Sequence, residues 1–118
     1  MTEIVAIKHG NVYEVTIGGI EEYSVSSKRI EEIAREWNVE AEMVAQLRVI
    51  EKIAEEEDGN KKMTYQEFFE GYEEILRVKP IEELVYYCLD TQAYYLVRPK
   101  KLLEKILEEE NYKQYFDI

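Results

Sequence analysis

The order of apolar and polar residues changes its period once along this chain. At first it alternates: Glu3 to Lys8 (EIVAIK) and Val12 to Ile17 (VYEVTI) are rich in β-branched and aromatic residues, as half-buried strands are. His9-Gly10-Asn11 between them is short and holds the glycine that a tight hairpin uses. In the second segment Tyr13, Val15 and Ile17 fall on one face and Val12, Glu14 and Thr16 on the other, so the sheet has one buried face. Gly18-Gly19 breaks the run, and Glu21 to Val25 can return as a third strand. The expected N-terminal unit is an antiparallel hairpin or three-stranded meander.

From Ser26-Ser27, a pair suited to a helix N-cap, the period becomes helical. Ile30, Ile33, Ala34 and Trp37 make a first stripe, which Asn38 interrupts. Met43, Val44, Leu47, Ile50 (with Val49 alongside), Ile53 and Ala54 make a second, which stops at Asp58-Gly59-Asn60. Thr64-Tyr65-Gln66-Glu67 fits the capping box, in which Thr and Glu each satisfy one free backbone donor. It opens a third stripe of Tyr65, Phe68, Phe69, Tyr72, Ile75 and Leu76. Pro80 suits the first position of a fourth helix, with Ile81, Leu84, Val85 and Cys88 inside. That helix either stops near Asp90-Thr91, leaving Tyr94 to Val97 extended, or continues to Val97. A fifth starts near Pro99, with Leu102, Leu103, Ile106 and Leu107 inside and Tyr112, Tyr115 and Phe116 docking the tail. The pattern predicts one α+β domain over residues 1–118, a sheet over 1–25 and about five helices over 26–118.

Composition narrows the function. The 118 residues carry 26 acidic and 15 basic side chains, a net charge of −11, with an ordinary apolar fraction of 46%. That sign disfavours wrapping nucleic acid with a basic face. No apolar run approaches the roughly 18 residues of a membrane span, and Cys88, the sole cysteine, cannot build a disulfide scaffold. Glutamate supplies nearly all the acids, a bias suited to a heat-adapted intracellular protein. Met1 to Gly10 lacks a basic stretch followed by an apolar one, so the cytoplasm is the expected compartment. The excess charge is local: residues 31–57 hold nine acidic and three basic side chains.

That acidic stretch also carries a motif. Ile30 to Val49 (IEEIAREWNVEAEMVAQLRV) resembles the helix-turn-helix superfamily, with Ile33, Trp37, Val39, Val44 and Leu47 at the apolar sites, Ala34 as the small residue of the crossing and Asn38 at a turn position that takes positive φ. The resemblance implies a second helix that reads base edges from its N-terminal half. Here the outward positions are Glu40, Ala41, Glu42, Ala45 and Gln46, and only Arg48 nearby is basic. A DNA-binding role would draw on Lys28, Arg29 and Arg48, or on the other basic clusters Lys61-Lys62 and Arg98, Lys100 and Lys101. Glu40 and Glu42 have a simpler explanation as first-turn acids that complement the helix dipole.

Glu56 to Glu67 (EEDGNKKMTYQE) resembles a degenerate EF-hand loop. Its calcium ligands would be Glu56, Asp58, Asn60 and Glu67. Lys61 stands where the loop's glycine belongs, and the preceding helical positions Glu51, Lys52 and Glu55 are charged rather than apolar. A helix stop followed by a capping box accounts for nearly all the same residues.

Catalytic groups are few. His9 is the only histidine, and Cys88 falls on an apolar stripe as a small buried hydrophobe. No phosphate loop, zinc spacing or nucleophile elbow occurs. Tyrosine is abundant, and Tyr86, Tyr87, Tyr94 and Tyr95 cluster as aromatic contact candidates. These observations favour a non-catalytic, cofactor-free acidic binding module that regulates or assembles through protein–protein contact, steered by Glu31, Glu32, Glu36, Glu40 and Glu42. The expected partner is a basic protein surface. Nucleic acid is a weaker expectation, a membrane is not expected, and pairing of two copies stays open.

Overall fold

In a computed structural model that describes residues 3–19, 21–58, 62–90 and 99–116, the alternating segments form β1 (Ile4–His9), β2 (Val12–Ile17) and β3 (Glu21–Ser26). The order is β1-β2-β3, antiparallel throughout, so the meander forms rather than the bare hairpin. Ala6 faces Val15, which faces Tyr23, and Lys8 faces Tyr13, which faces Val25. At the first reversal Gly10 takes φ +59 while Asn11 keeps a negative φ, the pattern of a II′ turn. Ile4, Tyr13, Val15 and Val25 are buried as the alternation requires.

β3 runs into α1 (Ser27–Trp37) without a loop. Ser26 occupies the N-cap position, yet its side chain makes no capping bond. The Ser27 N–H instead donates to the Asn11 carbonyl at 2.9 Å, because strand pairing brings the first turn beside the start of the helix. At the other end Asn38 adopts φ 55, ψ 50. Its N–H donates to Arg35 O at 3.2 Å and that of Val39 to Ala34 O at 3.0 Å, a Schellman motif.

α2 (Ala41–Asp58) is the hub, packed against all three strands, α1 and α4 (Ile81–Asp90). Every residue from Val44 to Glu51 is buried. The expectation that Ala45 and Gln46 face outward, with Arg48 available beside them, is therefore corrected: a helix with neighbours on several sides has no wide solvent face along its middle turns. Arg48 Nη1 donates to Glu51 Oε2 at 3.0 Å and Nη2 to the Met63 carbonyl at 2.9 Å. Its guanidinium lies 4.4 Å from the Tyr65 ring centre and 5.3 Å from that of Phe68. The Met63 N–H donates to Glu55 Oε1, so α2 holds both polar groups of the Met63 backbone.

α3 (Tyr65–Ile75) opens with the expected capping box, Glu67 N–H donating to Thr64 Oγ1 at 3.1 Å and Thr64 N–H to Glu67 Oε1 at 3.3 Å. Gly71 in its interior is explained by packing, since a Cβ there would meet Pro99 Cγ at 2.6 Å. The Leu84 N–H donates to the Pro80 carbonyl at 3.0 Å, which places Pro80 just ahead of α4. α5 (Pro99–Phe116) packs on α3 and buries Leu102 and Ile106. Leu107, expected inside, is 42% exposed: one residue beyond Ile106, it is rotated about 100° off the contact line. Residues 91–98, with the two alternatives for Tyr94 to Val97, and the side chains of Tyr112, Tyr115 and Phe116 lie outside the described residues. Among the described residues no helix is long and apolar enough to cross a membrane.

Candidate functional site

Two helix corners distant in sequence meet on one side of the molecule. The first is the α1–α2 corner, fixed by the left-handed Asn38. The second is the α3–α4 corner, where the Val78 and Lys79 N–H groups both donate to Ile75 O, at 2.9 and 3.0 Å, before Pro80 leads into α4. Between them lies a groove of about 500 Å³ lined by Trp37, Asn38, Val39, Glu40, Met43, Leu76, Pro80, Ile81 and Glu82. Its wall is held rigid from behind: the Trp37 ring stacks on Phe69 (5.8 Å between centres, 9° between planes) and leans on Phe68 at 5.5 Å. The Trp37 indole N–H is buried without an acceptor among the described residues.

Six of the nine lining residues are apolar. The two charged ones, Glu40 and Glu82, are both acidic and exposed. Neither is in an ion pair among the described residues. Two other depressions mix their charges. One, of about 400 Å³ between α1 and α3, is lined by Arg29, Arg35, Glu32 and Glu36 over Tyr65 and Phe69. The other, of about 370 Å³, is lined by Arg48, Lys52, Lys62, Glu55, Glu56 and Met63.

The five acids singled out from sequence sit in different surroundings. Glu31 accepts from Lys8 Nζ at 3.0 Å, which raises the Lys8 pKa. Glu32 accepts from Arg29 at 3.2 Å. Glu36 lies in the mixed groove, and Glu42 is exposed at the start of α2. Tyr13 has a raised phenol pKa, through burial first and then the charges of Glu31 and Glu42. Glu40 alone of the five lines the acid-rimmed groove. Glu82 was not singled out, since its first-turn position in α4 is where any helix favours an acid.

The remaining candidates are dispersed. Tyr86 is 44% exposed. Tyr87 is half-buried, donates to Glu109 Oε1 at 3.1 Å and has its pKa pushed up to about 12 by burial and by that bond. Tyr94 and Tyr95 lie outside the described residues. Lys28 and Arg29 are exposed, and Arg48 is enclosed. Of the residues that would ligate calcium in an EF-hand loop, Glu56 is exposed and Glu67 is engaged in the capping box. Asn60 and the Asp58 side chain lie outside the described residues, among which no group of three or more metal-ligating His, Cys, Asp or Glu side chains occurs. Cys88 is buried, its thiol pushed up to about 12 by that burial. Compared with protein-family models, curated proteins and solved structures, the chain matches none.

Proposed function

We propose that this chain is a non-catalytic binding module whose acid-rimmed groove docks a basic, amphipathic segment of another protein. The observation that carries this reading is the pairing of an apolar floor (Trp37, Val39, Met43, Leu76, Pro80 and Ile81) with a rim whose only charges among the described residues are Glu40 and Glu82. Burial of apolar side chains on that floor supplies affinity. The rim selects lysine or arginine beside them and repels acids. The net charge of −11, with Glu36 and Glu42 also exposed, steers such a partner toward the surface. A regulatory or assembly role follows from a site that binds without groups placed for chemistry.

Trp37, the sole tryptophan, lines the groove and reports on it. A synthetic helical peptide of leucines and lysines should shift its fluorescence, with affinity falling as salt rises. The Glu40→Lys/Glu82→Lys variant should weaken binding about tenfold or more, in line with the loss of two favourable charge contacts. The same peptide with glutamate in place of lysine should not bind. Equal binding of both peptides, or an affinity that charge reversal leaves unchanged, would overturn the reading.

A further inference from the structure

We infer that the outer edge of β1 pairs antiparallel with β1 of a second copy of this chain, about a two-fold axis at Ala6. The Gly18 N–H donates to Glu3 O at 2.8 Å, which makes Glu3 and Gly18 a hydrogen-bonded pair. By the alternation of an antiparallel ladder, the backbone groups of Glu3, Val5, Ile7 and His9 then turn toward β2, and those of Ile4, Ala6 and Lys8 turn away from it. Among the described residues no strand meets the outward groups, because β1 is one margin of the sheet. On the face away from α2, Val5 is 38% and Ile7 54% exposed. A six-residue margin without proline or bulge, carrying exposed β-branched residues, is a template for another strand. The opposite margin, β3, carries Glu22, Ser24 and Ser26 on that face instead.

A second copy fits in one register. With Ala6 facing its own counterpart, Ile4 faces Lys8, and these are the residues whose amides and carbonyls point outward, so all of them find partners. Val5 then faces Ile7 in the closer, non-hydrogen-bonded pairs, and the two copies make one apolar patch. At each end the carboxylate of Glu3 faces the imidazole of His9, a complementary pair of a charge and a donor. Sliding by two residues in either direction sets Glu3 against Ile7 or Val5 against His9 and loses both matches. Lys8 does not obstruct, since it lies on the α2 side and is held by Glu31 at 3.0 Å. The interface is isologous and independent of the groove, so each copy keeps its own.

Sedimentation equilibrium of the full chain should show a monomer–dimer equilibrium. Ala6→Pro removes an amide that points away from β2, so it should leave the circular dichroism unchanged and the protein monomeric. Cross-linking at exposed positions reads the register without depending on that variant. Equal amounts of Val5→Cys and Ile7→Cys chains in a glutathione redox buffer should give a disulfide-linked dimer, and neither should do so alone. Cys88, being buried, adds little background. A chain that stays monomeric at high concentration, a dimer that Ala6→Pro leaves intact, or Ile7→Cys linking as well alone as in the mixture would each overturn the inference.

Discussion

Arg48 is 5% exposed and Glu51 is fully enclosed, so two opposite charges lie side by side inside the fold. Taking either out of water costs several kcal/mol, recovered only through good geometry and further bonds. Here these are the 3.0 Å bond between them, the 2.9 Å bond to Met63 O and the stacking on Tyr65. Arg48→Ala would take the guanidinium away from the enclosed Glu51 carboxylate, and should cost about 3–5 kcal/mol of stability in urea denaturation. Arg48→Met combined with Glu51→Leu should recover most of that loss, since similar volumes replace both charges. A single-variant loss no larger than the ~1 kcal/mol of a surface pair would show that water reaches Glu51. None of this was legible in the sequence. An apolar stripe assigns charged residues to the outside by default, and only the packed neighbours of α2 reveal a charged pair turned inward.

At the scale of elements the sequence carried much more. Strand alternation, four of the five apolar helical stripes and the Thr64 capping box all describe what forms, because each depends on residues a few positions apart. There are two exceptions. Ser26 makes no side-chain cap, and the Ser27 N–H beside it is met by the Asn11 carbonyl. The α5 stripe was drawn one residue too wide at Leu107. Asn38 is the most local of these devices: it interrupts the apolar stripe after Trp37, and its backbone has φ 55, a conformation few residues other than glycine adopt. Asn38→Gly should therefore be neutral or slightly stabilising. Asn38→Val, β-branched and strained in that region, should cost about 1–3 kcal/mol. Thermal unfolding of the two variants checks the ordering. Equal melting temperatures would mean that the corner relaxes away from the left-handed conformation.

At the scale of the whole molecule, the groove was only partly legible. Glu40 was visible as an acid on the acidic stretch, but Leu76, Pro80, Ile81 and Glu82 join it from another corner. Charge acts at the same scale, and its response to alkali has one sign. Burial holds the Cys88 thiol up at about 12, and burial with the Glu109 bond does the same for the Tyr87 phenol. Tyr13 is raised by burial, and Lys8 by its bond to Glu31. Each folded-state value lies above the unfolded one, so the stabilisation is fully present below the unfolded pKa and is lost as pH rises through the folded one. Starting near 9.0 for the thiol and 10.0 for the phenols, the unfolded chain releases protons that the folded chain keeps. Stability then falls by up to about 1.4 kcal/mol per pH unit through the enclosed Cys88 thiol, and by less through the phenols, which water partly screens. Urea midpoints measured from pH 8 to 12 should hold near pH 8 to 9 and then drop steeply. In Cys88→Ala the whole curve sits lower, because a small cavity replaces the thiol, but its slope between pH 9 and 12 is shallower by up to the contribution of one group. A slope equal to that of the parent would mean that the thiol ionises in the folded chain as readily as in the unfolded one.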